Sequence, residues 1–234
     1  HSLARARCAP ALPPRARLHR LPIPGRSLPT LARFGLTAER LAGGARVFHW
    51  TDFVQPPVGK VSKVLTVHDL AFVREPEWHG LNAATLRERT LAAIGQATAV
   101  IVPSQATAAD VRAFAPAATV QVVPFGGDHV PKAIAAGHPF GGRPYVLCLG
   151  TIEPRKNHRA LLRAWHEIEG PRPLLVVVGG IGWDSDDTVR ELQAAVANGL
   201  VEWRQAANDA EVWVLLHHAE LLAYPSLWEG FGFP

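Results

Sequence analysis

The sequence contains no methionine, only two cysteines and no apolar run that approaches 18 residues. Two cysteines cannot build a disulfide framework, and neither has the clustered Cys-x-x-Cys spacing of a zinc site. The strongest apolar run, Leu174–Val178, has the length of a buried strand and not of a membrane span. The first residues carry arginine but no apolar stretch, so a secretory signal is not expected and the expected location is the cytoplasm. A start at His1 without methionine predicts a processed chain or a fragment.

The composition itself is globular. Of 234 residues, 48% are hydrophobic and 19% are charged, which excludes a disordered chain and predicts one or two domains. Residues 1–47 hold nine arginines and one acidic residue, a net charge of +8, whereas 48–234 hold 15 lysines and arginines against 19 acidic residues, a net charge of −4. Nucleic acid is therefore not an expected partner. A peripheral contact of the arginine-rich start with anionic lipid, at the inner face of the membrane, stays open, although its prolines argue against an amphipathic helix.

Prolines and glycines divide the chain into four parts. Residues 1–43 are predicted to be an irregular Pro/Arg-rich segment, and 125–143 have the composition of a linker. In 44–124 and again in 144–234, short β-branched runs alternate with Ala/Leu/Arg-rich stretches, which is typical of parallel βαβ units. The predicted strands are 46–50, 63–67, 99–103, 119–123, 145–149, 174–178, 201–203 and 221–224. The predicted helices are 81–96, 105–114, 158–168, 186–197 and 209–217, with Ser104, Asn157 and Asn208 as N-caps.

The loop after the predicted strand 145–149 combines a glycine, two cations and a helix start. Gly150 opens the loop, and Arg155 and Lys156 come just before the next helix. A helix N-terminus presents free N–H groups and the positive end of the helix dipole, so an added lysine favours a diphosphate site. The alternative is that both cations are solvated charges on an ordinary loop.

A second loop, after the predicted strand 221–224, carries one carboxylate and two glycines. Glu229 can accept hydrogen bonds from sugar hydroxyls, and Gly230 and Gly232 let the backbone approach a ligand on either side of Phe231. The alternative is a tight turn with a solvated carboxylate.

Other polar positions are less specific. His68 and Asp69 follow the strand 63–67, where ligands bind in open α/β sheets, but a structural hydrogen bond is the alternative. The glycines of 179–184 lack the Gly-x-Gly-x-x-Gly spacing, which argues against a dinucleotide site. The eleven histidines are scattered, His217 and His218 are expected at the polar surface, and no metal site is expected.

Four segments follow one another in a specific order. They are Val-His-Asp-Leu at 67–70, Val-Pro-Ser-Gln at 102–105, Gly-Thr-Ile-Glu-Pro-Arg-Lys-Asn at 150–157 and Pro-Ser-Leu-Trp-Glu-Gly-Phe-Gly-Phe-Pro at 225–234. Together they resemble the retaining glycosyltransferases of family 4, in the GT-B class, with mannosyltransferases as the nearest likeness. The resemblance covers 44–234. It implies an α/β fold in which two Rossmann-like parallel-sheet domains, both incomplete here, face a cleft.

The resemblance implies retaining transfer of a hexose from a nucleotide-diphospho-sugar, such as a GDP- or UDP-sugar, to a glycan or lipid-linked acceptor. It implies neither a metal nor another cofactor, because fixed cations and dipoles stabilise the departing charge. His68 and Glu229 are the implied catalytic residues. The implied diphosphate-binding residues are Gly150, Thr151, Arg155 and Lys156, the implied sugar-binding residues are Glu229, Gly230, Phe231 and Gly232, and the acceptor-side candidates are Asp69 and Ser104.

The sequence also departs from the family pattern. Many relatives have arginine where this chain has Thr151, and the family motif continues to a second glutamate beyond Pro234. The chain therefore resembles the middle of a longer enzyme, truncated at both ends, and this piece alone is expected to have little or no activity. Two alternatives remain: a phosphorylase or epimerase of the same architecture, or a degenerate or truncated nucleotide-binding domain without turnover.

Overall fold

Eight short strands form two separate parallel sheets in the computed structural model, which describes residues 23–233. The first sheet has the order β1-β2-β3-β4, and the second has the order β7-β6-β5-β8. The strands are β1 Val47–Trp50, β2 Ser62–Thr66, β3 Ala99–Val102, β4 Val120–Val122, β5 Tyr145–Leu149, β6 Leu174–Val178, β7 Val201–Arg204 and β8 Leu221–Leu222. Every neighbouring pair is parallel, as the alternation of strand and helix predicts.

Helices lie before the first strand and between most of the others. They are α1 Leu28–Arg33, α2 Ala38–Leu41, α3 Ala71–Arg74, α4 Ala83–Gln96, α5 Gln105–Phe114, α6 His158–Glu167, α7 Asp186–Ala197 and α8 Asp209–His218, with short 3-10 turns at Gly25–Ser27, Pro76–Asn82 and Pro154–Lys156. The eight predicted strands and five predicted helices are confirmed to within two residues at each end. Within the described part of the chain, no helix combines the length and the apolarity needed to cross a bilayer.

The prediction of an irregular segment over 1–43 is wrong where the structure describes it. Helices α1 and α2 lie in that stretch, whereas 1–22 are outside the described residues. Pro29 is at the start of α1, where a proline costs no helical hydrogen bond and its fixed φ suits the first turn. In α2, Glu39 is buried, and its carboxylate accepts from the Thr37 hydroxyl and the Gly59 amide. Proline content alone therefore did not exclude helix.

One predicted helix cap is also wrong. Ser104 accepts from the Thr107 amide at 3.1 Å, and Asn208 forms a reciprocal capping box with Glu211, as short polar side chains at this position do. Asn157 makes no capping hydrogen bond. It is in the left-handed region, with φ 56°, and its Nδ2 instead donates to the Pro225 carbonyl at 3.2 Å.

The second sheet is buried on both faces. Along β5, Val146 and Cys148 pack into a core with α6 and α7, whereas Tyr145, Leu147 and Leu149 pack into another core that includes Leu215 of α8. This burial explains why the strand is a continuous apolar run instead of an alternating one. The first sheet has a core of its own, which includes Leu65, Val100 and Val102.

The strand order of the second sheet creates a crevice. From β5 the chain runs outward to β6 and β7, and it then returns to add β8 on the opposite edge of β5. The loops that follow β5 and β8 therefore leave the same end of the sheet in different directions. Ligands in open α/β sheets bind at such a switch point.

Candidate active site

The two loops at the switch point are held together by a partly buried ion pair. Lys156 Nζ donates to Glu229 Oε1 at 2.6 Å and to the Tyr224 hydroxyl oxygen at 2.6 Å. The lysine belongs to the loop after β5, and the other two residues belong to the loop after β8. The lysine side chain is 13% exposed and the Glu229 side chain is 22% exposed. Lys156, predicted to bind the diphosphate, and Glu229, predicted to bind the sugar, are therefore in direct contact.

Arg155 has a different position from Lys156, although the sequence predicts one role for both. Its Nη1 donates to the Trp228 carbonyl at 2.9 Å and to Glu229 Oε2 at 3.3 Å, and its Nη2 lies 3.1 Å from Glu153 Oε1. Both terminal nitrogens thus contact the protein itself. These contacts hold the carboxylate of Glu229 and the backbone carbonyl of Trp228 in place.

The pKa shifts show that both members of the ion pair are charged near neutral pH. Burial raises the pKa of Glu229, but hydrogen bonds led by Lys156 and the charges of Arg155 and Lys156 outweigh it, so the net shift is downward. Burial lowers the pKa of Lys156, but its hydrogen bonds to Glu229 and Tyr224 outweigh it, so the net shift is upward. Glu229 is therefore a hydrogen-bond acceptor and Lys156 a permanent cation.

Close backbone contacts support the start of the first loop. Gly150 has φ +143°, and its amide donates to the Val178 carbonyl at 3.0 Å. A Cβ on Gly179 would overlap the Gly150 carbonyl, so the loop after β6 supports the loop after β5 by direct backbone contact. Thr151 is exposed beside this contact. The glycines of 179–182 thus have a structural role that needs no dinucleotide.

The glycine-rich loop, residues 229–233, contacts the first α/β unit. The buried Gly230 carbonyl accepts from Ser104 Oγ at 2.5 Å and from Thr107 Oγ1 at 3.2 Å. A Cβ on Gly230 would overlap the carbonyl oxygen of His68. The position is therefore open only to glycine without movement of the backbone. The Ser104 hydroxyl thus donates to the Gly230 carbonyl and also caps α5. A contact between Ser104 and the substrate that accepts the sugar stays a prediction.

His68 and Asp69 also have defined partners. His68 Nε2 donates to the Thr51 carbonyl at 2.9 Å, and because a carbonyl only accepts, Nε2 carries the proton and Nδ1 is the acceptor in the neutral ring. Asp69 Oδ1 accepts from the Ala71 amide at 3.0 Å at the start of α3. The His68 backbone lies against Gly230 of the glycine-rich loop, whereas the described contact of Asp69 is local.

Aromatic side chains surround the glycine-rich loop. The ring of Phe125, from the linker, lies 5.2 Å from that of Phe231 and 5.8 Å from that of Phe233, and 5.7 Å from that of His68. Between the two phenylalanines, Gly232 has φ +88°, a conformation that glycine adopts without strain. Phe231 stays 39% exposed, so its backbone and ring border the crevice.

Two further contacts between the units have no signal in the sequence. Trp183 Nε1 donates to the Trp78 carbonyl at 2.6 Å, and the Arg74 guanidinium carbon lies 4.6 Å from the centre of the Trp228 ring. These partners are more than 100 residues apart. The sequence also predicts no role for Tyr224 or Thr107, although both lie close to the motif segments 225–234 and 102–105. Their roles depend on contacts with distant residues, Lys156 for Tyr224 and Gly230 for Thr107.

His158, at the start of α6, predicts how stability depends on pH. It is 2% exposed, and neither ring nitrogen has a hydrogen-bond partner among the described residues. Burial first, and the charge of Lys156 second, lower its pKa from 6.5 to about 4. The unfolded chain therefore takes up this proton at a higher pH than the folded chain. Stability falls as the pH drops from 6.5 to 4, and this group contributes a loss of about 3 kcal/mol.

Urea unfolding at several pH values measures this contribution. We expect His158→Leu to lose less stability than the wild type between pH 7 and pH 4, with the difference confined to that window. The control is His166→Leu, an exposed histidine on the same helix. Equal pH slopes for wild type and His158→Leu would show that His158 is not buried in its neutral form.

Comparisons with known proteins agree with this geometry. Residues 131–234 match the family described as Glycosyl transferases group 1. The matched residues contain the end of the linker, the second sheet and both loops of the site.

Curated relatives are mannosyltransferases of Escherichia coli. The chain is 26% identical over 185 residues to O-antigen chain mannosyltransferase B, and the alignment covers 73% of this chain and 49% of that protein. It is 28% identical over 191 residues to serotype-specific mannosyltransferase WbdA, and this alignment covers 72% of this chain and 23% of that protein. The chain thus spans about half the length of the first relative and less than a quarter of the second.

Solved structures give the fold. A sucrose-phosphate synthase from Thermosynechococcus elongatus superposes with a TM-score of 0.68 at 20% identity, over 94% of this chain and 60% of that one. The Anabaena protein HepE, solved in complex with UDP, superposes with a TM-score of 0.52 at 19% identity, over 72% of this chain and 48% of that one. With the two parallel sheets, these likenesses give a GT-B-like fold of two Rossmann-type units, which confirms the predicted fold class.

Proposed function

We propose that the matched residues, 131–234, bind a nucleotide-diphospho-sugar and that the protein transfers its hexose, a mannose or a similar sugar, to a glycan or lipid-linked acceptor with retention of configuration. The mannosyltransferase relatives support the hexose, and their O-antigen and serotype names support a polysaccharide product. The proposal places the reaction in the cytoplasm, with a peripheral contact at the inner face of the membrane.

One observation carries the proposal: a lysine and a glutamate from two different loops meet at the switch point of the second sheet. Lys156 supplies a fixed positive charge, and Glu229 supplies carboxylate oxygens held in the charged form. A nucleotide-sugar needs both, because its diphosphate is anionic and its sugar hydroxyls donate hydrogen bonds.

In the proposed reaction the bond between the sugar C1 and the diphosphate oxygen breaks, an acceptor hydroxyl oxygen bonds to C1, and the hydroxyl proton passes to the departing diphosphate oxygen. The nucleoside diphosphate leaves with the bonding electron pair, and its developing charge lies near Lys156 and the first turn of α6. Glu229 orients the sugar hydroxyls, and Arg155 keeps the carboxylate in place. Because Thr51 fixes the tautomer of His68, Nδ1 can accept a hydrogen bond from the same sugar.

The test is a survey of nucleotide-sugars with the whole protein that contains this chain, because the 234-residue piece alone is expected to have little or no activity, and with its Glu229→Gln variant. Release of the nucleoside diphosphate is followed by chromatography, with GDP-mannose, UDP-glucose and UDP-galactose as donors. We expect turnover of one donor, and a loss of about 100-fold in Glu229→Gln, because the neutral amide no longer pairs with Lys156. Glu220→Gln, in the turn before β8, is the matched control.

Three outcomes separate the proposal from its alternatives. Nucleoside diphosphate binding without turnover would indicate a nucleotide-binding domain without transfer. Consumption of inorganic phosphate in place of a sugar acceptor would indicate a phosphorylase. The proton coupling at C1 of the glycoside product, measured by NMR, reports retention directly, and an inverted product would contradict that part of the proposal.

A further inference from the structure

Tyr224, in the loop after β8, contacts Lys156 of the loop after β5 and Phe233 of the glycine-rich loop. It follows β8 by two residues, and its hydroxyl is 2.6 Å from Lys156 Nζ and 2.8 Å from the Phe233 carbonyl oxygen. The ammonium also lies 4.7 Å from the centre of the Tyr224 ring. The sequence alone predicts no role for this residue.

The direction of these hydrogen bonds is fixed by their chemistry. A carbonyl oxygen only accepts, so the single phenol proton goes to Phe233. An ammonium only donates, so the phenol oxygen accepts from Lys156. The result is a one-way chain from Lys156 through Tyr224 to Phe233. It joins the lysine to the far end of the glycine-rich loop.

We infer that Tyr224 is a positioning residue for the donor diphosphate, an inference that rests on the proposed function. Tyr224 and Glu229 accept two of the three N–H bonds of Lys156, which sets the direction of the third. The same hydroxyl holds Phe233, so the lysine and the backbone of the glycine-rich loop keep one relative geometry. The orientation of Lys156 by Tyr224 therefore strengthens the binding of ligands whose phosphate contacts Lys156, and it does not affect ligands that lack this phosphate.

The experiment compares diphosphates with monophosphates. The full 234-residue chain, as wild type and as Tyr224→Phe, is titrated by calorimetry with GDP, GMP, UDP and UMP. We expect the affinity of Tyr224→Phe for the preferred diphosphate to fall about tenfold, because one hydrogen bond to a charged group is lost. The affinity for the matching monophosphate should change less than about twofold, since it lacks the second phosphate. A general loss of folding would weaken both ligands equally.

The sequence has two tyrosines, and the other one is the control. Tyr145 is buried in the second sheet, and its hydroxyl donates to the Leu215 carbonyl at 2.6 Å. Tyr145→Phe should leave the ratio of diphosphate to monophosphate affinity unchanged. An unchanged ratio in Tyr224→Phe, with a lowered ratio in Lys156→Ala, would overturn the inference and leave the proposed function standing. A wild type that binds neither GDP nor UDP would overturn both.

Discussion

Replacing Lys156 by alanine lowers kcat/KM for the nucleotide-sugar by about 100-fold or more. The variant loses the charge that neutralises the leaving diphosphate, and it leaves Glu229 with Arg155 as its remaining described cation. Removing one group aimed at developing charge costs about 2.7–4 kcal/mol in well-studied enzymes. Steady-state kinetics with the preferred donor measures the effect.

Lys132→Ala is the matched control for this prediction, because Lys132 is an exposed lysine in the linker. Its kcat/KM should stay within about twofold of the wild type. A Lys156→Ala variant that keeps most of its activity would show that the diphosphate binds elsewhere, and it would remove the main support for the proposed function.

Replacing Gly230 by alanine lowers activity by about 100-fold while both sheets stay folded. The added Cβ would overlap the His68 carbonyl, so the loop must move away from the first α/β unit. That movement breaks the hydrogen bonds from Ser104 and Thr107 and displaces the neighbouring Glu229. A displacement of about 1 Å in a substrate-positioning group is enough to cost about 100-fold in rate.

A second glycine-to-alanine change separates this effect from a general one. Gly95, in α4, has nothing near the position of an added Cβ, and alanine is the better helix former. Gly95→Ala should keep full activity with equal or higher thermal stability. Full activity in Gly230→Ala would mean that the contact between the glycine-rich loop and the first unit has no part in catalysis.

The sequence predicted the regular elements well because their signals are local. Continuous apolar runs such as Leu174–Val178 are buried on both faces of the sheet, and the helices between them have periods and caps of their own. The predictions that fail concern competing local effects. Pro29 starts a helix instead of preventing one, and Asn157 contacts Pro225 instead of capping α6.

The candidate site was predictable only in part. The switch point and the motif resemblance bring Lys156 and Glu229 into one hypothesis, and the structure places them in contact. Periodicity cannot show that Arg155 braces the carboxylate, or that Tyr224 joins the two loops. These roles come from contacts between residues about 70 positions apart, which depend on how β5 and β8 pair.

A crystal structure of the chain with a nucleoside diphosphate, GDP or UDP, tests the central claim most directly. We predict that the diphosphate lies at the carboxyl ends of β5 and β8, with the terminal phosphate in hydrogen-bond contact with Lys156 Nζ and Glu229 facing the space for the sugar. A diphosphate bound away from Lys156, or at the ends of the first sheet, would contradict the account.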